Sequence, residues 1–100
     1  MRTVTVHELK TALDEGAVVI DVREPEEYAA GHVPGAALVP LATVPQRLDD
    51  LPGTRPLYVV CAVGGRSAQA VAFLAAHGVD AVNVDGGTND WVAAGYPVQL

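Results

Sequence analysis

The apolar positions change period several times along the chain. Leu9, Ala12 and Leu13 recur at helical spacing after Thr5-Val6-His7-Glu8, and Gly16 follows them. A Thr with a Glu three residues later has the form of a capping box, so the pattern predicts a helix from Val6 to about Glu15, stopped by Gly16. Ala17-Val18-Val19-Ile20 then runs apolar on both faces, as a buried parallel strand does, and ends at Asp21-Val22-Arg23. Glu24 to Gly31 predicts a short helix that is acidic at its start. His32-Val33-Pro34-Gly35 reads as a turn, and Ala36 to Val39 as a short strand. Thr43 is a candidate cap for a helix running to about Asp50, before Pro52-Gly53. Leu57-Tyr58-Val59-Val60 is a second strongly apolar strand. Beyond Cys61-Ala62-Val63-Gly64-Gly65 a helix is expected from about Arg66 to His77, with Ala68, Val71, Ala72 and Ala75 on its apolar face and Gly78 closing it. Ala81-Val82-Asn83-Val84 is a further strand, and the glycines of Asp85-Gly86-Gly87 permit positive φ in a turn. Thr88 to Ala94 completes the series as a short helix whose Trp91 is expected in the core.

Strands alternating with helices imply an α/β fold: a mostly parallel central sheet with helices on both faces, in three layers. The length suits one domain over residues 1–100. In such sheets the ligand sits beyond the carboxyl ends of the strands. Asp21-Val22-Arg23 and the segment from Cys61 to Gly65 both fall there.

With 50% hydrophobic and 18% charged residues, the composition is that of an ordinary globular chain rather than a disordered one. The formal charge of −6 and the lack of any Lys/Arg cluster argue against nucleic acid and against an anionic membrane surface as partners. No apolar run approaches the roughly 20 residues of a membrane helix, and the start of the chain lacks the apolar stretch of a signal peptide, so a cytoplasmic location is expected. Cys61 is the one cysteine, which excludes an internal disulfide and a thiolate-built zinc site. His7, His32 and His77 match no metal spacing, so neither a metal nor a cofactor is expected.

The loop that starts at Cys61 carries the candidate chemistry. Small residues and glycines separate it from a helix start, a geometry that aims backbone N–H groups into one concavity. Arg66 adds a permanent charge at the rim, and Ser67 is placed either to cap the helix or to donate to the sulfur. Such surroundings favour thiolate over thiol and activate a nucleophile. The bland alternative is a small buried hydrophobe at a strand end. Asp21 is a candidate partner for the loop amides or Arg66, and Arg23 for Glu26 or Glu27. For both, tying loop and fold together is a simpler role than catalysis. Glu24, Glu26 and Glu27 read as a solvated helix start.

Cys61-Ala62-Val63-Gly64-Gly65-Arg66-Ser67 resembles the C-x-x-G-x-R-S loop of single-domain rhodanese-like sulfurtransferases. Ile20 to Tyr28 with Gly31 to Ala36, and Asp85-Gly86-Gly87 with Trp91, Gly95 and Pro97, resemble that family's N- and C-terminal signatures, in family order. The resemblance implies the three-layer rhodanese-like fold and transfer of a sulfane sulfur through a persulfide on Cys61. It implies that Cys61 and Arg66 are catalytic, that Ala62, Val63, Gly64, Gly65 and Ser67 bind the substrate, and that Asp21 and Arg23 support them. The implied partners are a donor (thiosulfate or a low-molecular-weight or protein persulfide) and a separate thiol or cyanide-like acceptor, with a sulfur-relay protein as a further option. His32 is expected to serve the fold. Two alternatives stand beside this reading. One is a sulfur-relay or docking module without turnover. The other is a small cysteine phosphatase, disfavoured because phosphatases of this fold place one more residue between Cys and Arg. The apolar Ala62 and Val63, where thiosulfate-using relatives often carry a basic residue, suggest that thiosulfate is a poor donor.

Overall fold

A computed structural model describes the whole chain, Met1–Leu100. Strands β1 (Thr3–Val4), β2 (Val18–Asp21), β3 (Ala37–Leu38), β4 (Leu57–Val60) and β5 (Ala81–Val84) form one sheet in the order β1-β5-β4-β2-β3. All four strand pairings are parallel. The helices are α1 (Val6–Asp14), α2 (Pro25–Ala29), α3 (Gly65–Ala76) and α4 (Gly87–Ala93). The expected capping box forms at the start of α1: the Glu8 amide donates to Thr5 Oγ1 at 3.2 Å, and the Thr5 amide donates to Glu8 Oε1 at 2.9 Å.

Alternation along the strands sorts the core into two halves. Val19, Val60 and Val84 pack with Val6 and Leu9 of α1 and with Trp91 of α4. Ile20, Leu57, Val59 and Cys61 pack on the opposite face with Ala70, Val71 and Leu74 of α3. Helices thus cover both faces, and the three-layer arrangement expected from the pattern is the one observed. The chain leaves β2 toward β3 on one side and leaves β4 toward β5 on the other. The crevice between the ends of β2 and β4 is therefore the topological switch point, where open parallel sheets place their ligands.

Three local expectations differ from the structure. No α-helix follows Thr43. Two 3-10 turns, Leu41–Thr43 and Pro45–Asp50, stand there, because Pro45 lacks the amide that would bond the Leu41 carbonyl and join them. Thr43 Oγ1 donates backward to the Pro40 carbonyl at 2.7 Å instead of capping forward. The buried face of α3 is Ser67, Ala70, Val71 and Leu74, while Ala72 and Ala75 are exposed; alanines mark a face weakly, and Leu74 decides the orientation. The edge strand β1 is too short to leave a periodic signal. Trp91 is core, 1% exposed, with its indole N–H on the Pro97 carbonyl at 2.7 Å. His32 serves the fold: its Nδ1 lies 2.9 Å from the Tyr28 carbonyl and its ring stacks on Tyr28. No helix is long and apolar enough to cross a membrane.

Candidate active site

Cys61 lies one residue past β4 and keeps the strand's alternation, so its side chain points to the α3 face with Leu57 and Val59. The sulfur is almost fully covered; the residue is 1% exposed. The chain then turns into α3 through Gly64, whose φ of 120° lies in the region that favours glycine. That conformation delivers the Gly64 amide to Cys61 Sγ at 3.1 Å. Ser67 in the first turn of α3 brings its hydroxyl to 3.3 Å from the same sulfur. Gly64, not Ser67, is the cap residue of α3. Burial pushes the Cys61 thiol pKa up, but the Ser67 hydroxyl and the amides of Ser67, Gly64 and Val63 favour the thiolate more strongly, and the net shift is downward.

The amides face inward because the carbonyls are held outward. The start of α4 and the Gly86 before it hold the loop carbonyls. The Thr88 amide and hydroxyl bond the Cys61 carbonyl at 2.8 and 3.1 Å, the Asn89 amide bonds Ala62 at 3.0 Å, and the Gly86 amide bonds Val63 at 3.2 Å. In a trans peptide the C=O of one residue and the N–H of the next point in opposite directions. Fixing the Ala62 and Val63 carbonyls on α4 therefore turns the Val63 and Gly64 N–H groups toward the sulfur. Gly87 permits this contact. A Cβ there would run into the Cys61 carbonyl oxygen and would come within 2.5 Å of the Ala62 oxygen.

The charged residues pair differently from the sequence expectation. Arg66 sits on Glu27 in a bidentate pair, Nη1 to Oε1 at 2.7 Å and Nη2 to Oε2 at 2.9 Å, rather than on the sulfur or on Asp21. That pair spans the crevice between the ends of β2 and β4. Hydrogen bonds from Arg66, then from the Glu24 amide, hold the Glu27 carboxyl at about 2, and the same pairing raises the Arg66 pKa. Glu27 is thus a half-buried partner of the site, not simply a solvated carboxylate. Arg23 bonds neither Glu26 nor Glu27. Its Nε and Nη2 grip both oxygens of Asp21 at 2.8–3.0 Å, and Nη2 also reaches the Gly31 carbonyl at 2.9 Å. The reason is parity: Asp21 shares a strand face with Val19, opposite the face that carries Cys61.

The structure thus gathers Cys61, Ala62, Val63, Gly64 and Ser67 into one cradle. Gly65 opens α3 beside it, while Arg66 faces Glu27 and the Asp21–Arg23 pair lies across the sheet. Three contributors were missed in the sequence. Asn83 on β5 sets its Oδ1 against Ser67 Oγ and competes with Cys61 Sγ for that hydroxyl's single proton, which the thiol form leaves on Asn83 and the thiolate draws to the sulfur. Its signal was a polar residue inside an otherwise apolar strand. Glu27 and the Gly86-Gly87-Thr88 clamp left no signal strong enough to link them to a loop far away in the chain.

The chain matches the family described as rhodanese-like domain over residues 5–94. It is 40% identical over 86 residues to the thiosulfate sulfurtransferase GlpE of Pseudomonas putida, covering 85% of this chain and 77% of that one. It is 35% identical over 85 residues to a sulfurtransferase of Allochromatium vinosum, covering 84% of this chain and 79% of that one. Among solved structures it is similar to a rhodanese-related protein of Thermoplasma volcanium, with a TM-score of 0.93, 34% identity and coverage of 100% of this chain and 99% of that one.

Proposed function

Because this chain belongs to the rhodanese-like domain family, we propose that it transfers a sulfane sulfur through a persulfide on Cys61. The observation that supports this most directly is the Gly64 amide on Cys61 Sγ at 3.1 Å, backed by the Ser67 hydroxyl at 3.3 Å. Donors aimed at a sulfur with no titratable side chain hydrogen-bonded to it suit a resident anion: first the thiolate, then the persulfide that replaces it. In the loading step the thiolate attacks the outer sulfur of the donor. The donor's S–S (or S–SO3) bond breaks, its electron pair leaves with the remainder of the donor, and a new S–S bond joins Cys61. In the unloading step a thiolate or cyanide attacks the outer sulfur and returns Cys61 as thiolate. No net oxidant is consumed.

Roles follow residue by residue. Cys61 is the nucleophile. The amides of Val63, Gly64 and Ser67 and the Ser67 hydroxyl hold the anion, while Ala62 and Gly65 shape the tight turn. Arg66 positions the loop against α2, and Asp21 with Arg23 secures the end of β2. The partners are a sulfur donor and a separate thiophilic acceptor.

Intact-mass measurement after incubation with thiosulfate or glutathione persulfide tests the reading. Gain of one sulfur, lost in Cys61→Ser and discharged by cyanide, is the expected result. No adduct from either donor would overturn it, and Cys61-dependent turnover of an aryl phosphate would favour a phosphatase instead.

A further inference from the structure

The cradle loop carries one arginine, Arg66, yet both of its terminal nitrogens are occupied. Nη1 and Nη2 of Arg66 each donate to one oxygen of Glu27. The second arginine nearby, Arg23, is bound in the same bidentate manner by Asp21. Each of the two pairs carries no net charge. Elsewhere Lys10 pairs with Asp14, and Arg47 and Arg55 bond the carbonyls of Leu38 and Pro52. Asp85 adds a negative charge beside the loop, its Oδ1 only 3.6 Å from where a Cβ on Gly64 would stand. The cradle is therefore positive through its amides, while the arginine of its own loop is ion-paired, on a chain of net charge −6.

Thiosulfate carries its two charges on and next to the sulfur that is transferred. A guanidinium is the matched bidentate partner for its oxygens, but Glu27 already fills that role. We infer that Glu27 is a specificity-determining residue that masks Arg66 and so selects against dianionic sulfur donors in favour of less charged ones. The inference rests on the Cys61 persulfide reading. Arg66 stands beside the sulfur site, since Gly64 two residues before it and Ser67 directly after it both contact Cys61 Sγ. The pair is also reachable, with side chains 37% and 33% exposed.

Two donors separate charge from reaction type. Thiosulfate and methanethiosulfonate both pass their terminal sulfur to a thiolate. The first is a dianion that releases sulfite. The second carries a methyl group in place of one sulfonate oxygen, so it is a monoanion that releases methanesulfinate. The test is kcat/KM for both donors, with cyanide as acceptor, in the wild type, Glu27→Gln and Glu27→Ala. Glu27→Gln keeps an acceptor for the Glu24 amide while removing the charge on Arg66's partner. The thiosulfate-to-methanethiosulfonate ratio should rise by about three- to fivefold in both variants, the scale of one half-exposed charge interaction. A wild-type measurement accompanies it: added salt should leave thiosulfate turnover flat or raise it, because salt screens a repulsion. An unchanged ratio in variants that still transfer sulfur, or wild-type thiosulfate turnover that falls with salt, would overturn the role of Glu27 and leave the Cys61 reading standing. Failure of the wild type to take sulfur on Cys61 from either donor would overturn both.

Discussion

Gly87→Ala separates a clamp from a mere neighbour. Gly87 opens α4 at a φ of 57°, against the carbonyls of Cys61 and Ala62. An alanine there meets two costs. The left-handed backbone costs about 1–2 kcal/mol for a residue with a Cβ. The Cβ also overlaps backbone atoms of the loop, with the Ala62 oxygen at 2.5 Å and its carbonyl carbon at 2.6 Å. Backbone cannot swing aside as a side-chain tip can, so relief requires α4 and the loop to separate, at an overpacking cost of about 1–3 kcal/mol. The sum, about 2–5 kcal/mol, falls within the roughly 5–15 kcal/mol that holds a domain together. Gly95→Ala is the control. Gly95 lies just past α4 at a φ of 81°, with nothing within 4 Å of its would-be Cβ, so only the backbone cost of about 1–2 kcal/mol applies. Urea unfolding should place Gly87→Ala about 1–3 kcal/mol below Gly95→Ala. Separation of α4 from the loop would also free the Val63 and Ala62 carbonyls to rotate and their following amides to leave the sulfur. The Cys61 thiolate titration, followed by ultraviolet absorbance, should therefore move up in Gly87→Ala and stay in place in Gly95→Ala. Equal stability losses with equal titrations would refute the clamp.

Two other outcomes follow from the same geometry. Ser67→Ala removes the hydroxyl that most strongly favours the Cys61 thiolate, so the midpoint of iodoacetamide reactivity against pH should rise. The linked effect on stability has a definite sign. A thiol whose folded pKa is lowered gains stability as pH rises from that value to the unfolded value of about 8.5, and the gain should shrink in Ser67→Ala; an unmoved midpoint would count against the hydroxyl. Asp21→Asn keeps one oxygen acceptor but leaves the Arg23 guanidinium, 7% exposed, without a countercharge. Removing one partner of a buried pair costs about 3–5 kcal/mol, whereas loss of the half-exposed Glu27–Arg66 pair costs at most about 1 kcal/mol. Similar urea midpoints for Asp21→Asn and Glu27→Gln would contradict that ordering.

What was readable in the sequence depended on whether the responsible force acts locally. The capping box at Thr5 and Glu8, the apolar runs of β2, β4 and β5, and the Gly64-Gly65 turn into α3 are short-range devices, and each lies where its pattern placed it. The cradle around Cys61 was legible for the same reason: nucleophile, glycines and helix start are contiguous. The partners of that cradle were not. Which carboxylate meets which arginine depends on strand parity and on where α2 crosses the crevice. The sequence offers Asp21 to the loop amides or Arg66 and Arg23 to Glu26 or Glu27, whereas the structure pairs Asp21 with Arg23 and Glu27 with Arg66. The face of α3 was misplaced because alanines dominate it and say little about orientation. The clamp from α4 was invisible because it is built from main-chain amides, whose targets a sequence does not encode directly.

Backbone, not side-chain charge, therefore supplies the electropositive character of the site. The sequence alone suggests that Arg66 and the loop amides together make a positive spot on an acidic chain. In the structure Arg66 is cancelled by Glu27, and the amides remain. This division has a chemical consequence. Amide N–H groups hold an anionic sulfur at a fixed place without offering a counter-ion to whatever delivers it. A freely mobile cation would stabilise the resident thiolate and the incoming anion alike, raising affinity for the donor without preference for the reacting sulfur. Donors fixed on the sulfur itself act on the atom that would react in the proposed cycle of thiolate and persulfide. On the proposed persulfide reading, a sulfur loaded on Cys61 finds no second cysteine among these 100 residues to move to. Amides that would hold the proposed persulfide in place until an external acceptor arrives match that constraint.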